Sequence, residues 1–516
     1  MGKFKSILIL LPALFLAGCC VDEYGNVVIG KCEINTTTNA AFQCNGASCG
    51  NSLSSYNGTN VNVWTYKNSG NSNVNLNVSM ANISNKEITI VYTNEGSSYV
   101  TMPFISINNA LKNEIYPYGK NEETFDYLPN AVLDFEPAEL IEETDDLKLN
   151  QTPSYAVWNE GNKRNWNVAY GSTVRTTTLR KQLTINERVI NLWVEDSEYT
   201  NGRMDTAKID YVVSYISTVY TNVVKVAGEP WGAHKYSNLI ASGNQPLDIV
   251  FFNSGNSIGG YFATSNNYKK STHSNSNEAV AIFIDTRMDR GYTTSVIAHE
   301  LTHAIDFYQR YVVMGDGSQF SAFLGEMRAV MMEDIMSSKI PYNSASGRYG
   351  SWITAPLYQQ DFSDWKYSDP TSYTVASSFG SFLLRQYGID FFKTLFKTRS
   401  DLSTSDYRAK EINVLDKAIK VYDSGGLAKA LRHWGASIAI FPVSTAPKGF
   451  GYPARSNDNG FNLESFDGNI YRKLPTSSLS TLAPNAHFPF LRKTTNNIYN
   501  ESFVIPKGVG VSIVVK

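Results

Sequence analysis

The chain has 516 residues, 42% of them hydrophobic and 18% charged, with a formal net charge of −2. That length accommodates roughly two to four domains, and the apolar fraction can fill real cores. The near-neutral balance argues against a nucleic-acid binder, which would carry a basic face.

Lys3 and Lys5 precede an apolar run from Ser6 to Leu16. This is signal-peptide length and too short for a confident membrane span. The run ends in Leu16-Ala17-Gly18-Cys19, which resembles the bacterial lipobox. The resemblance implies a signal peptide over 1–18, acylation of Cys19, and a lipid anchor in a bacterial membrane. An exported protein at the outer membrane or cell surface is expected, in preference to the inner membrane. All five cysteines (Cys19, Cys20, Cys32, Cys44 and Cys49) lie in this first stretch. With Cys19 acylated, the remaining four allow three pairings, and export permits disulfides. Residues 19–60 are rich in Asn, Ser, Thr and Gly, a composition that buries little apolar surface and reads as a tether.

From residue 61 the pattern alternates. Val74, Leu76 and Val78, then Ile88, Ile90 and Tyr92, alternate with polar residues as in half-buried strands, with a turn over Asn82–Asn85. Further strands are expected over 99–106, 164–170, 173–183 and 188–195, with Asn186-Glu187 in a hairpin loop. Residues 61–200 thus read as a β-rich accessory domain. Inside it, the acidic run Asp134–Asp146 reads as a solvated face, without the ligand spacing of a calcium loop.

A helix is expected over 204–226, capped by Asp205 and ended by Gly228. Strands follow at Leu247–Phe252, after Gly259-Gly260, and at Glu278–Asp285. The segment Asn277–Ala281 is expected to form the sheet edge that an extended substrate could join.

Next comes His299-Glu300-Leu301-Thr302-His303. On a helix the two histidines stand one turn apart and face one way, so both can bind one tetrahedral zinc ion. Glu300 is then suited to act as general base for a zinc-activated water. Ile297, Leu301, Ala304, Ile305 and Tyr308 form an apolar stripe, and Thr294 or Ser295 is the expected cap. A third ligand is needed. Asp306 and Gln309 break the metzincin spacing, and no cysteine lies downstream, so a carboxylate on the next helix, Ser321–Met336, remains. Glu326 is the choice, with Glu333 or Asp334 as alternatives. An unpaired carboxylate among the apolar neighbours of Glu326 would be costly, and a metal answers that cost.

Together with Phe323-Leu324-Gly325-Glu326, the Gly259-Gly260-Tyr261-Phe262 turn and Ile284-Asp285-Thr286, the motif resembles the hyicolysin family of zinc metallopeptidases. More broadly it is similar to the gluzincins, which include thermolysin. The resemblance spans about residues 190–440. It implies an α+β, two-lobed zincin domain over 201–445, with Zn2+ held by His299, His303 and Glu326. Two departures stand out. Gly325-Glu326-Met327 replaces the usual Asn-Glu-Gly, and Val330 stands where thermolysin-like chains place the Asp that orients a histidine. Glu333 or Asp306 is the expected substitute.

Helices are expected over Tyr373–Gln386, Asp390–Lys397, Ser405–Tyr422 and Gly426–Ala439, with Gly388 stopping the first. Related enzymes use a Tyr or His from this lobe to stabilise the oxyanion. Tyr373 is the candidate and His433 the alternative. Residues 446–516 read as a separate C-terminal β element. The expected function is zinc-dependent endopeptidase, with a polypeptide substrate and a membrane contact through the lipid anchor. The competing expectation is a surface adhesin or binding lipoprotein with a vestigial metal site.

Overall fold

A computed structural model describes residues 20–21, 27–28, 43–45, 56, 61–107, 137–142, 157–168, 173–255, 258–315, 320–341, 361–366, 371–440, 446–466 and 474–516. The signal segment, Cys19, Cys32, Cys49 and most of the acidic run Asp134–Asp146 lie outside these residues. The architecture is mixed helix and sheet, as expected. Strands near the N-terminus are β1 (Gln43–Asn45), β2 (Asn62–Lys67), β3 (Val74–Ala81), β4 (Glu87–Asn94) and β5 (Val100–Thr101). The middle of the chain supplies β6 (Lys163–Val168), β7 (Thr173–Ile185), β8 (Arg188–Glu195), β9 (Leu247–Phe252), β10 (Gly260–Phe262) and β11 (Val280–Asp285). The end supplies β12 (Thr481–Leu482), β13 (His487–Lys493), β14 (Ile498–Ile505) and β15 (Val509–Val515).

The pairing of these strands corrects the expected grouping. One sheet runs β13-β4-β15-β2-β1, while β14 pairs with β3 and β12 with β5. The two ends of the chain therefore build a single β-domain. The other sheet runs β10-β11-β9-β8-β7-β6, so the strands over 163–195 belong with the zinc-motif region and not with those over 62–101. Alternation along a strand announces that the strand exists and which face is buried, but it carries no record of a partner hundreds of residues away. The hairpin loop at Asn186-Glu187 does occur, with φ of +48° and +65°. Two successive positive φ values match the twist of a tight hairpin.

The middle sheet carries the helices that matter for function. Helix α1 (Thr206–Ala227) is capped by Asp205, whose side chain accepts from the Lys208 N–H, and it ends at Gly228 with φ +100°. It connects the parallel pair β8 and β9, and β9 is parallel to β11, a geometry that requires a long crossover. Helix α2 (Arg290–Asp306) follows β11, and α3 (Ala322–Met336) packs beside it. Helices α4 (Thr371–Tyr387), α5 (Ile389–Lys397), α6 (Tyr407–Lys420) and α7 (Gly426–Ile440) complete the helical region. One continuous core joins α1 to α7 and one face of the sheet, including Ile249, Ile282, Leu301, Met327, Phe379 and Leu415. Among the described residues no helix is long and apolar enough to cross a membrane.

Candidate metal centre

Two consecutive helices bring the site together. Helix α2 starts at Asp289, whose carboxylate accepts from Tyr292 N–H at 2.8 Å, and not at Thr294 or Ser295. Those two residues lie inside the helix, and the Thr294 hydroxyl donates to Gly291 O at 2.7 Å. From Tyr292 to Asp306 every residue is buried, so the expected single apolar stripe understates the packing. Some of its buried polar residues find partners on the helix itself: the Thr302 hydroxyl donates to Ala298 O at 2.8 Å.

One turn of α2 separates His299 from His303, and their rings stand 4.9 Å apart at 72°. Glu326, on α3, meets both. Its Oε2 lies 3.0 Å from His299 Nε2 and 3.8 Å from His303 Nε2. One donor atom from each of the three residues can be chosen so that all lie within 4.8 Å of one another. The expected ligand set is therefore brought together. The alternatives are engaged differently. Glu333 Oε1 lies 2.6 Å from the other nitrogen of His299, Nδ1, and its second oxygen accepts from the Ser295 hydroxyl at 3.2 Å. Asp334 is paired with Arg385, at 2.5 Å. Glu333 thus holds the face of His299 opposite Glu326, which turns Nε2 toward His303 and Glu326. Asp306, the other expected orienter, is paired instead with Arg328.

The charge states follow from this crowding. Burial alone would lower the pKa of His299, but hydrogen bonding to Glu326 and Glu333 raises it well above the usual imidazole value. His303 is lowered by burial. Burial works to raise Glu326, yet the two histidines beside it hold its carboxyl down at about 2. Glu300 is pushed well above the carboxylate range by burial, with Glu326 and Glu333 adding to the effect.

Three buried atoms here have no hydrogen-bond partner: both Glu300 carboxylate oxygens and His303 Nε2. An imidazole nitrogen and a carboxylate left unsatisfied at full burial cost about 1–3 kcal/mol each, or more where charged. A divalent cation held by His299, His303 and Glu326 would give the unpartnered His303 nitrogen a partner. A set of two nitrogens and one oxygen is a donor set for catalytic zinc. The residues present fit such an ion.

Two neighbours complete the surroundings. The Tyr373 hydroxyl, on α4, donates to Glu326 Oε1 at 3.2 Å, and its ring meets Trp365 edge-on at 4.7 Å. His433 is engaged elsewhere, hydrogen-bonded to Gly449 O at 3.0 Å and stacked on Phe450. The sheet edge beside α2 is β10, not Asn277–Ala281. Strand β11 is flanked on both sides, and Asn277 ties its side chain to Asn167 and Asn266. On β10, a Cβ at Gly260 would meet Val296 Cγ1 at 2.8 Å, Phe283 O at 2.9 Å and Glu300 Cγ at 3.1 Å. Sequence reasoning read Gly260 only as a turn. The glycine doublet beside a short strand was the available signal for a close approach of backbone to helix.

Comparison with known families gives two matches. The model for peptidase M30 matches residues 171–516, and that for a domain of unknown function, DUF8571, matches residues 42–107. No curated protein matches the chain.

Proposed function

Because the chain belongs to the peptidase M30 family, the hyicolysin family, and so is a metallopeptidase, we propose that it is a zinc-dependent endopeptidase with Glu300 as its general base. The observation that carries this reading is the buried His299, His303 and Glu326 group with an unpartnered Glu300 carboxylate beside it. The middle sheet with α1 to α3 is read as one lobe of a zincin, and α4 to α7 as the other.

His299, His303 and Glu326 would hold the ion, and Glu333 would fix the His299 ring. When bound, zinc supplies a Lewis acid that polarises the scissile carbonyl and makes water acidic enough to deprotonate near neutrality. Glu300 accepts the proton of the attacking water. As the water oxygen forms the new bond to the carbonyl carbon, Glu300 holds the proton taken from it and then delivers that proton to the amide nitrogen, so the C–N bond breaks and leaves one new carboxyl end and one new amino end. The Tyr373 hydroxyl is assigned to the oxyanion that develops at the carbonyl. A vestigial site in an adhesive lipoprotein is the weaker reading, since such a protein has no use for a buried, unpaired base.

Two carboxylate variants test the roles. Glu300→Gln keeps all three ligands, so it should retain about one zinc per chain while casein hydrolysis falls by about 100-fold or more. Glu326→Gln exchanges a charged ligand for a weak neutral one and should lose zinc affinity itself. An active Glu300→Gln enzyme would sink the assignment. For Tyr373→Phe, kcat should fall with KM and zinc content unchanged; a fall in zinc content would make it a holder of Glu326 instead. The export and anchoring reading rests on Leu16-Ala17-Gly18-Cys19. It is checked by fatty-acid labelling of the parent and of Cys19→Ala, which should be unlabelled and released from membranes.

A further inference from the structure

The described strands of the segment matched as a domain of unknown function, residues 42–107, do not close a sheet among themselves. Strand β2 pairs with β15, β3 with β14, β4 with β13 and β15, and β5 with β12. Among the described strands of that segment, the only internal ladder joins β1 to β2. Every other partner comes from residues 481–515, inside the peptidase match. Ile90 shows the arrangement: it lies opposite Phe490 on one side and Ile513 on the other. The core is shared in the same way, with Trp64, Leu76 and Ile90 packed among Phe490, Phe503 and Ile513. Unpaired strands leave their N–H and C=O groups unsatisfied, so neither piece has a stable sheet alone.

The opposite face of the sheet is also occupied. Val63, Val91 and Val514 pack on Ala436, Ala439 and Ile440 of α7. Glu95, with its side chain 1% exposed, pairs with Lys67 at 3.0 Å and with Arg432 of α7. On β13, His487 meets the Trp434 ring at 4.9 Å, and the space it fills depends on the missing Cβ of Gly435. Trp434 Nε1 in turn donates to the Ser378 hydroxyl at 3.0 Å. Ser378 lies on α4, the helix of Tyr373.

We propose that residues 42–107 are a strand donor for the peptidase's own C-terminal end. The domain completed in this way braces α7 and, through Trp434, the helix that carries Tyr373. Its partner is residues 481–515 of the same chain. This assigns the unknown segment an internal structural partner rather than an outside ligand, and it does not depend on the identity of the metal.

Native-state hydrogen exchange on the full-length protein tests the first half. Amides of β4 should lose protection at the same denaturant concentration as those of β13 and β15, because they unfold as one unit. Loss of protection over 62–94 while 487–515 stays protected would overturn the proposal. The variant Glu95→Gln tests the brace while leaving the site untouched. Protection in 426–440 and 371–387 should drop by at least about tenfold, the effect of weakening a hydrogen-bonded charge pair, with zinc per chain unchanged. Unchanged protection in 371–387 would overturn the second half.

Discussion

At the scale of single residues, the site is a set of side chains each held by one specific neighbour. Glu333 is two turns along α3 from Glu326, and both grip the same imidazole from opposite sides at 2.6 and 3.0 Å. Removing the outer grip in Glu333→Gln should weaken zinc binding by about 10- to 100-fold, measured by competition with a chelating dye. Unaltered affinity would show that the His299 ring is fixed by packing alone. Gly260 acts on the base rather than the ligands. An added methyl group would have to displace Val296, a backbone carbonyl or the Glu300 side chain, all within 3.1 Å. For Gly260→Ala the expectation is full zinc content with kcat lowered by about tenfold, which a shift of a reacting group by under an ångström can produce. If kcat matches the parent, β10 has more freedom than its packing implies. The motif residues and Glu326 were legible from spacing and chemistry. Gly260 was not, because its importance lies in a close approach to Val296 and Glu300 on helix α2, far along the sequence.

Between elements, legibility divides along the same line. Helix α1, with its Asp205 cap and Gly228 stop, and strands β4, β8, β9 and β11 follow from periodicity and local turn chemistry. Helix α2 starts about one and a half turns before Thr294 and Ser295, since Asp289, Thr294 and Ser295 are all good capping residues and only tertiary packing chooses. Strand partners were beyond reach for the physical reason that ladders are non-local. One such contact carries a pH dependence. His487 on β13 is buried against Trp434, and burial pushes its pKa down to about 3. The unfolded chain takes up this proton below about pH 6.5, while the folded protein resists it to about pH 3. The stability tied to the neutral ring is therefore complete above pH 6.5 and declines as pH falls toward 3, on the order of 1 kcal/mol per pH unit. His487→Phe should flatten the acid side of the denaturant-midpoint profile in that window. A profile as steep as the parent's would assign the acid sensitivity to other groups.

For the whole molecule, the arrangement of charge around the centre sets its dependence on metal. The neighbouring buried carboxylates have fixed cations: Asp306 has Arg328, and Asp334 has Arg385. Glu326 and Glu333 are paired with imidazoles instead, both reaching His299, and together with Glu300 they are buried at the junction of α2 and α3. Helices α2 and α3 also contribute side chains to the main core, so the charge balance at the centre bears on the stability of the helices packed with them. A divalent cation bound to the folded state alone stabilises it by RT ln(1 + [L]/Kd), about 4 kcal/mol at a thousandfold excess over Kd. Chelation should therefore lower the Tm of the full-length protein, and added zinc should restore it. Glu326→Gln should melt near the chelated parent and gain much less from zinc. Calorimetry of the parent with and without chelator decides the matter: identical melting curves would mean that these helices hold their carboxylates together without an ion.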